Sequence, residues 1–306
     1  MPAIAFTANT RYGSGMKRHL HLVLGLGVLV AQFVFGAEIP AKKAGSDYLR
    51  FHEKAKGAAL QVGIISLQHK TTGAKVDLVG AVHIGDADYY RTLNKDFKKY
   101  DAVLYEMVKP KDLDPGKLNQ GRKQSSVSFL QRFMKTQLDL AYQLDEVDYG
   151  PKNFVHADMT DEQFAKRQNA RGEGMFQLMM RMMKEDMARQ KGDNGAADIS
   201  MGELMRALFS PTRAVDLKYL LARQFNELER LTAGLDGKEG SVILTERNTV
   251  ALKVLEKEIK AGRKNLAIFY GAAHMPDIEK RMIKNMGFER KATRWLTAWD
   301  LPARRK

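Results

Sequence analysis

Residues 75–90 read KVDLVGAVHIGDADYY. The apolar run from Val76 to Val82 predicts a buried strand, and Asp86 opens a helical pattern that continues to about Tyr100. His83 therefore stands at the carboxyl end of a buried strand, just ahead of a helix amino terminus. Open α/β sheets keep their binding sites at such points. The arrangement recurs near the other end of the chain. Leu266-Ala267-Ile268-Phe269-Tyr270 predicts a second strand, followed by Gly271-Ala272-Ala273-His274, then Met275-Pro276-Asp277 and a helix. Both copies read G-A-x-H-x-x-D between a strand and a helix.

Outward from the first copy, Leu60 to Gln68 is rich in Val and Ile, and Lys70-Thr71-Thr72-Gly73 makes a turn into the His83 strand. That is a β-hairpin pattern. Residues 38–58 are polar and Lys-rich and read as a lead-in. On the other side, Ala102-Val103-Leu104-Tyr105-Glu106-Met107 predicts a third apolar strand. Strand, helix, strand at this spacing predicts a βαβ unit, with the His83 and Glu106 strands side by side as a parallel pair. A carboxylate ending an apolar strand is costly without a partner.

Residues 109–124, KPKDLDPGKLNQGRKQ, read as a long loop. Ser126 is placed to cap a helix carrying Val127, Leu130, Met134, Leu138 and Ala141 on one face. Asn153 to Ala157 predicts a short strand, and Thr160 with Gln163 forms a capping box for the next helix. His156 and Asp158 thus lie at a third strand-to-helix junction. They either face the site, or His156 packs in the core while Asp158 contacts the following helix.

From 164 to 235 the pattern is almost wholly helical, with a break at Lys191–Ala197 and helices near 201–209 and 214–233. Phe176, Met179, Met180, Met183 and Met187 fall at helical spacing. Such a stripe fits core packing, a pliable peptide surface or a soft metal. A helix over 241–262 carries Glu246, Arg247 and Asn248 in its first turn. Another covers 277–286, and a last strand lies around Arg294–Ala298. The fold class read from this order is α/β. A mixed central sheet with βαβ units carries a large helical insertion at about 110–240, all within one domain over 38–306.

The chain has 306 residues, 44% of them hydrophobic, which suffices for a large core. It has no cysteine, so thiol catalysis, zinc-thiolate sites and disulfides are excluded together. The formal charge is +14, but Lys and Arg are scattered through amphipathic helices rather than clustered with aromatics. Nucleic acid is therefore not an expected partner. Residues 16–37, MKRHLHLVLGLGVLVAQFVFGA, resemble a secretory signal with Lys17 and Arg18 before the apolar stretch and Gly36 and Ala37 after it. The expectation is a signal peptide over 1–37, with Met16 a candidate start, and a secreted or periplasmic mature protein. An uncleaved anchor, giving transient membrane contact through this segment, is the alternative.

Beyond the signal the histidines are His52, His69, His83, His156 and His274. A glycine three residues before His83 and before His274 permits a tight turn or the close approach of a ligand. Two imidazoles and Glu106 at one sheet edge make a first shell for a divalent metal with open positions, whose bound water would become a nucleophile. Without metal, a histidine and Glu106 could divide general acid and base roles. Arg247 either holds a substrate carboxylate or oxyanion, or pairs with Glu106 or an aspartate. Asp86 and Asp277 are expected as helix caps. The chain has no H-E-x-x-H, no G-x-S-x-G, no phosphate loop and, outside the signal, no dinucleotide fingerprint.

Gly80-Ala81-Val82-His83, Tyr105-Glu106, Glu246-Arg247-Asn248 and Gly271-Ala272-Ala273-His274 together resemble the TraB/PrgY/GumN family, related to Tiki proteins. The resemblance covers roughly 60–110 and 240–290 and leaves the Met-rich middle unmatched. It implies a fold similar to the erythromycin-esterase and ChaN-like proteins, and metal-dependent proteolysis as in Tiki-type members. It maps His83, Glu106 and His274 to the functional histidines and acid, and Arg247 to the functional arginine. The second motif departs from the commoner Gly-x-Gly-His. The expectation is an exported hydrolase, a peptidase using Mn, Co or Zn. Its rival is a non-catalytic periplasmic protein that binds a peptide, haem or another small ligand.

Overall fold

The computed structural model describes residues 47–117, 138, 140–173, 201–234 and 240–303, all within one unit, Ala37–Lys306. Ala58–His69 (β2) and Lys75–Ala81 (β3) form the expected hairpin, with Ile64 opposite Val79. Gly73 takes φ +70° in the turn, and the ring of His69 accepts the N–H groups of Thr71 and Thr72 through Nδ1. His69 is thus a turn residue. Leu49–Glu53 (β1), inside the stretch expected to be a polar lead-in, pairs with the first part of β2.

After β3 come Ile84–Gly85 (β4), Ala87–Phe97 (α1) and Ala102–Tyr105 (β5). The βαβ unit forms, but its two strands are not neighbours. Asn265–Gly271 (β8) lies between β3 and β5, parallel to both, with Ala81 opposite Gly271 and Tyr105 opposite Phe269. The strand of the second motif thus separates the strands expected to pair. Its composition suits that place: β8 and β5 are buried almost without interruption, as strands covered on both faces must be. Val76, Leu78, Leu104, Ile268 and Phe269 are essentially inaccessible. Each such side chain contributes about 1.5–3 kcal/mol on burial.

Between β5 and β8 the chain is not simply a helical insertion. Ala141–Tyr142 (β6) pairs with β4 in a small second sheet, so Ala141 sits in a strand rather than on a helix face. The turn Gln143–Glu146 (α2) follows, and Phe154–His156 (β7) adds a parallel strand outside β5. The capping box of Thr160 and Gln163 is present, and Asp161–Arg171 (α3) ends at Gly172, where φ is +62°. Met201–Phe209 (α4) and Arg213–Gly234 (α5) match the expected helices. The expected helix at 241–262 divides into a π-turn at Val242–Glu246, capped by Ser241, and Arg247–Lys260 (α6). Met275–Asn285 (α7) leads into Phe288–Leu301 (β9), which pairs along the whole of β2 and is far longer than expected.

The main sheet therefore runs β9, β2, β3, β8, β5, β7, with β1 sharing an edge of β2 with β3. The signal segment, the Met stripe and most of the helix expected after Ser126 lie outside the described residues. Among the described residues no helix is long and apolar enough to cross a membrane.

Candidate active site

Glu106 follows β5 directly, and its backbone N–H continues the strand pairing by donating to the Phe269 carbonyl at 3.1 Å. Its carboxylate turns into the cleft between strand ends. Oε2 accepts the Gly271 backbone N–H at 2.6 Å, Oε1 accepts Arg247 Nη2 at 2.6 Å, and His274 Nε2 lies 3.4 Å from Oε1. Burial pushes this carboxyl upward, but the Arg247 guanidinium and the His274 ring outweigh it. The group is held well below the ordinary carboxylate range.

Arg247 is the first residue of α6. Its Nε and Nη2 donate to the two oxygens of Asp158 at 2.9 and 2.6 Å, while Nη2 also reaches Glu106. The Asp158 side chain is wholly inaccessible and that of Arg247 is 10% exposed. Of the two roles open to Arg247 from sequence, the ion pair is the one formed, and with both acids at once. Such a fork suits a guanidinium and no other cationic side chain. Asp158 thereby joins the cluster at one remove. His156 does not, because its Nε2 contacts the Met107 carbonyl at 2.7 Å and its ring packs beside Tyr105. Burial lowers its pKa.

The two motif histidines meet at Gly271. A Cβ built on that glycine would lie 3.3 Å from Glu106 Oε2, 3.7 Å from His274 Cδ2 and 3.8 Å from His83 Nε2. Any larger residue would fill the space that these groups share. Gly80 serves differently: a Cβ there would press on Val62 Cγ1 at 3.2 Å and on Ala272 at 3.5 Å. Neither motif glycine has a positive φ. Close approach, rather than a tight turn, is why both are glycine.

His274 lies in a 3-10 turn, Ala272–His274, and is 4% exposed. Its Nδ1 is 2.6 Å from Asn248 Oδ1, and Asn248 Nδ2 donates to Asp277 Oδ2 at 2.8 Å. Because a carboxylate only accepts, Asp277 fixes which way the Asn248 amide points. His274 must then carry a proton on Nδ1. Its Nε2 faces Glu106 Oε1 across 3.4 Å. His83 is exposed, and its Nδ1 lies 3.0 Å from Gln143 Oε1. Gln143 Nε2 in turn donates to Tyr149 at 2.9 Å.

This donor set fits a divalent cation in three respects. Two largely enclosed carboxylates share one guanidinium, a formal excess of one negative charge before His274 is counted. Each histidine has its Nδ1 engaged by a carboxamide oxygen, the outer contact that metal-bound imidazoles usually make. The 3.4 Å between His274 Nε2 and Glu106 Oε1 matches the edge of a tetrahedron with bonds of about 2.0–2.2 Å. Among the described residues, however, no three acidic or imidazole side chains are drawn into a single coordination sphere. His83 Nε2 borders the same glycine, Gly271, as the other two.

Gln143, Tyr149 and the bonding of Asn248 to His274 had no sequence signal of their own, since each depends on contacts across the fold. Asp86 and Asp277 lie at helix starts as expected but do not cap them. Asp86 accepts Lys218 Nζ at 2.8 Å and the Asp300 backbone N–H at 2.6 Å; Asp277 accepts from Asn248 and Arg281. No family model, curated protein or solved structure matches this chain.

Proposed function

We propose that this chain is an exported, metal-dependent hydrolase of peptide bonds, of the TraB/PrgY/GumN and Tiki type. His83, His274 and Glu106 would hold the ion, with Mn, Co or Zn as candidates. The observation that supports this reading is the convergence of His83 Nε2, Glu106 Oε2 and the His274 ring around Gly271. A divalent ion there would supply Lewis-acid polarisation of a carbonyl and a water acidified towards neutrality.

The chain's own residues set up the rest. Gly271 leaves the room that a scissile carbonyl would need. Arg247, with His274, keeps Glu106 ionised, and the Gly271 N–H and Arg247 hold the carboxylate in one orientation. Arg247 lies behind Glu106 and is shared with Asp158, so it acts through the carboxylate as a positioning residue rather than as a substrate contact. His83, exposed at the rim, is the imidazole that an incoming peptide meets first.

Metal content and cleavage of a peptide library, compared for the wild type, His83→Ala and His274→Ala, test the reading. Stoichiometric metal and cleavage, both lost in folded variants, support it. Absence of metal and cleavage with manganese, cobalt and zinc alike would overturn it in favour of a binding protein.

A further inference from the structure

We infer that Gln143, itself held by Tyr149, is the positioning residue of His83: it keeps the ring proton on Nδ1 and so turns a bare Nε2 towards Gly271. The inference rests on the reading of His83 as a site imidazole and names the group that prepares it.

Gln143 touches His83 at two points. Its backbone N–H donates to the His83 carbonyl at 3.0 Å, and its Oε1 lies 3.0 Å from His83 Nδ1. The pairing of β4 with β6, Ile84 opposite Tyr142, carries Gln143 to that position. Gln143 is 5% exposed, and its amide nitrogen donates to the Tyr149 hydroxyl. Tyr149 is itself buried against Tyr105 and Phe154, with ring centroids 5.2 and 5.6 Å away. The amide therefore has a rigid anchor.

A purely structural role for this side chain would be met by leucine or methionine. Burying a primary amide costs free energy unless each end is satisfied. Here the two ends are satisfied by a histidine nitrogen and a tyrosine hydroxyl. The backbone N–H of Gln143 already ties the two segments together without help from the side chain. What the amide adds is control of the ring. His83 lies beyond the end of β3 and is exposed, so a free imidazole there would turn about its side-chain bonds and sample both neutral tautomers. The second motif shows the same device with different parts: Asn248 Oδ1 engages Nδ1 of His274, and Asp277 anchors that amide. Two carboxamides from unrelated elements each engage Nδ1 of a motif histidine, leaving His83 Nε2 beside Gly271 and His274 Nε2 facing Glu106.

The test uses the metal-free full chain at about pH 8.5, some two units above the ordinary imidazole value, with histidine tautomers read from long-range proton–nitrogen spectra. His83 in the wild type is expected as the Nδ1–H tautomer alone. Gln143→Met, of similar volume, should give a mixture and weaken zinc binding by about 10–100-fold with melting little changed. Gln143→Glu, which keeps an acceptor, should retain the Nδ1–H tautomer. Tyr149→Phe should shift the balance part of the way and covers the case in which Gln143→Met does not fold. An Nε2–H tautomer in the wild type, or a tautomer that ignores Gln143→Met and Tyr149→Phe, overturns the inference. Failure of zinc to bind the wild type would count against the metal reading alone, because the tautomer is read without metal.

Discussion

Gly80-Ala81-Val82-His83 and Gly271-Ala272-Ala273-His274 are near-copies in sequence and unlike in structure. In the first, glycine is inside β3 and packs against Val62 and the Ala272 turn, while the histidine is exposed. In the second, glycine is the last residue of β8 and floors the cluster, while the histidine is buried in a 3-10 turn. Strand position explains much of the difference. β8 lies between β3 and β5, so the chain leaving it has neighbours on both sides, and α5 packs over the turn that follows. β3 instead hands its chain to the small β4–β6 sheet at the rim. A repeated motif thus supplies two imidazoles with different tasks: one is fixed within the fold, the other meets solvent.

The largest expected effect concerns what holds the buried half. Arg247→Met leaves Glu106 and Asp158 without their cation and should cost about 3–5 kcal/mol in urea unfolding. The pH dependence has a defined sign. Glu106 has a lowered carboxyl pKa in the folded state. Its contribution is therefore complete above the ordinary glutamate value of about 4.3 and is lost as pH falls through the lower folded value. That acid sensitivity should shrink in the variant. A loss below about 1 kcal/mol would mean that the pair behaves as a surface bridge.

Next, the two histidines should separate in stability while remaining alike in function. His274→Ala leaves Asn248 Oδ1 buried without its donor and should cost about 1–3 kcal/mol. His83→Ala should cost less than about 1 kcal/mol, because water reaches the exposed side. Both should abolish zinc binding, measured by calorimetric titration. Equal destabilisation would erase the distinction drawn between the two ends.

The glycines should divide the opposite way. Gly80→Ala crowds Val62 and should destabilise by about 1–3 kcal/mol, read from thermal melting, while zinc binding survives. Gly271→Ala puts a methyl beside Glu106 Oε2 and His83 Nε2, and should block zinc at a smaller cost in melting temperature.

The smallest effect belongs to the third strand-end histidine. His156 is half-buried beside Tyr105, and that burial, with Lys109 and Arg247 nearby, lowers its pKa. Below its ordinary value of about 6.5 the unfolded chain takes up the proton first, so stability rises with pH through this window. His156→Gln should flatten the slope below about pH 6.5 in chemical denaturation without touching zinc affinity. A change in affinity would place His156 in the site after all.

The elements that proved legible are those with local causes. The alternating Val and Ile residues of 60–68, the turn at Gly73, the helix after Asp86 and the Thr160–Gln163 capping box each depend on residues a few positions apart. Leu49–Glu53 is not legible because an edge strand among lysines has little apolar pattern. Most of Phe288–Leu301 is not legible either, because its middle is exposed and charged. Asp86 and Asp277 show the limit of local reasoning. Their positions at helix starts were right, yet Lys218, Asn248 and Arg281, brought in from distant segments, took their oxygens.

By itself the sequence determined that His83, Glu106 and His274 would stand at strand ends, because apolar runs and the residues that stop them are a matter of neighbours along the chain. Tertiary structure alone decided that β8 would enter between β3 and β5, and so which strand ends would touch. Pairing between segments so far apart is chosen by burial of whole strands, which leaves no mark at any single position. The same holds for the partners of the site. Gln143, Asn248 and Asp158 became the holders of His83, His274 and Arg247 only when the sheet had closed around them, since a hydrogen bond across the fold has no periodicity to read.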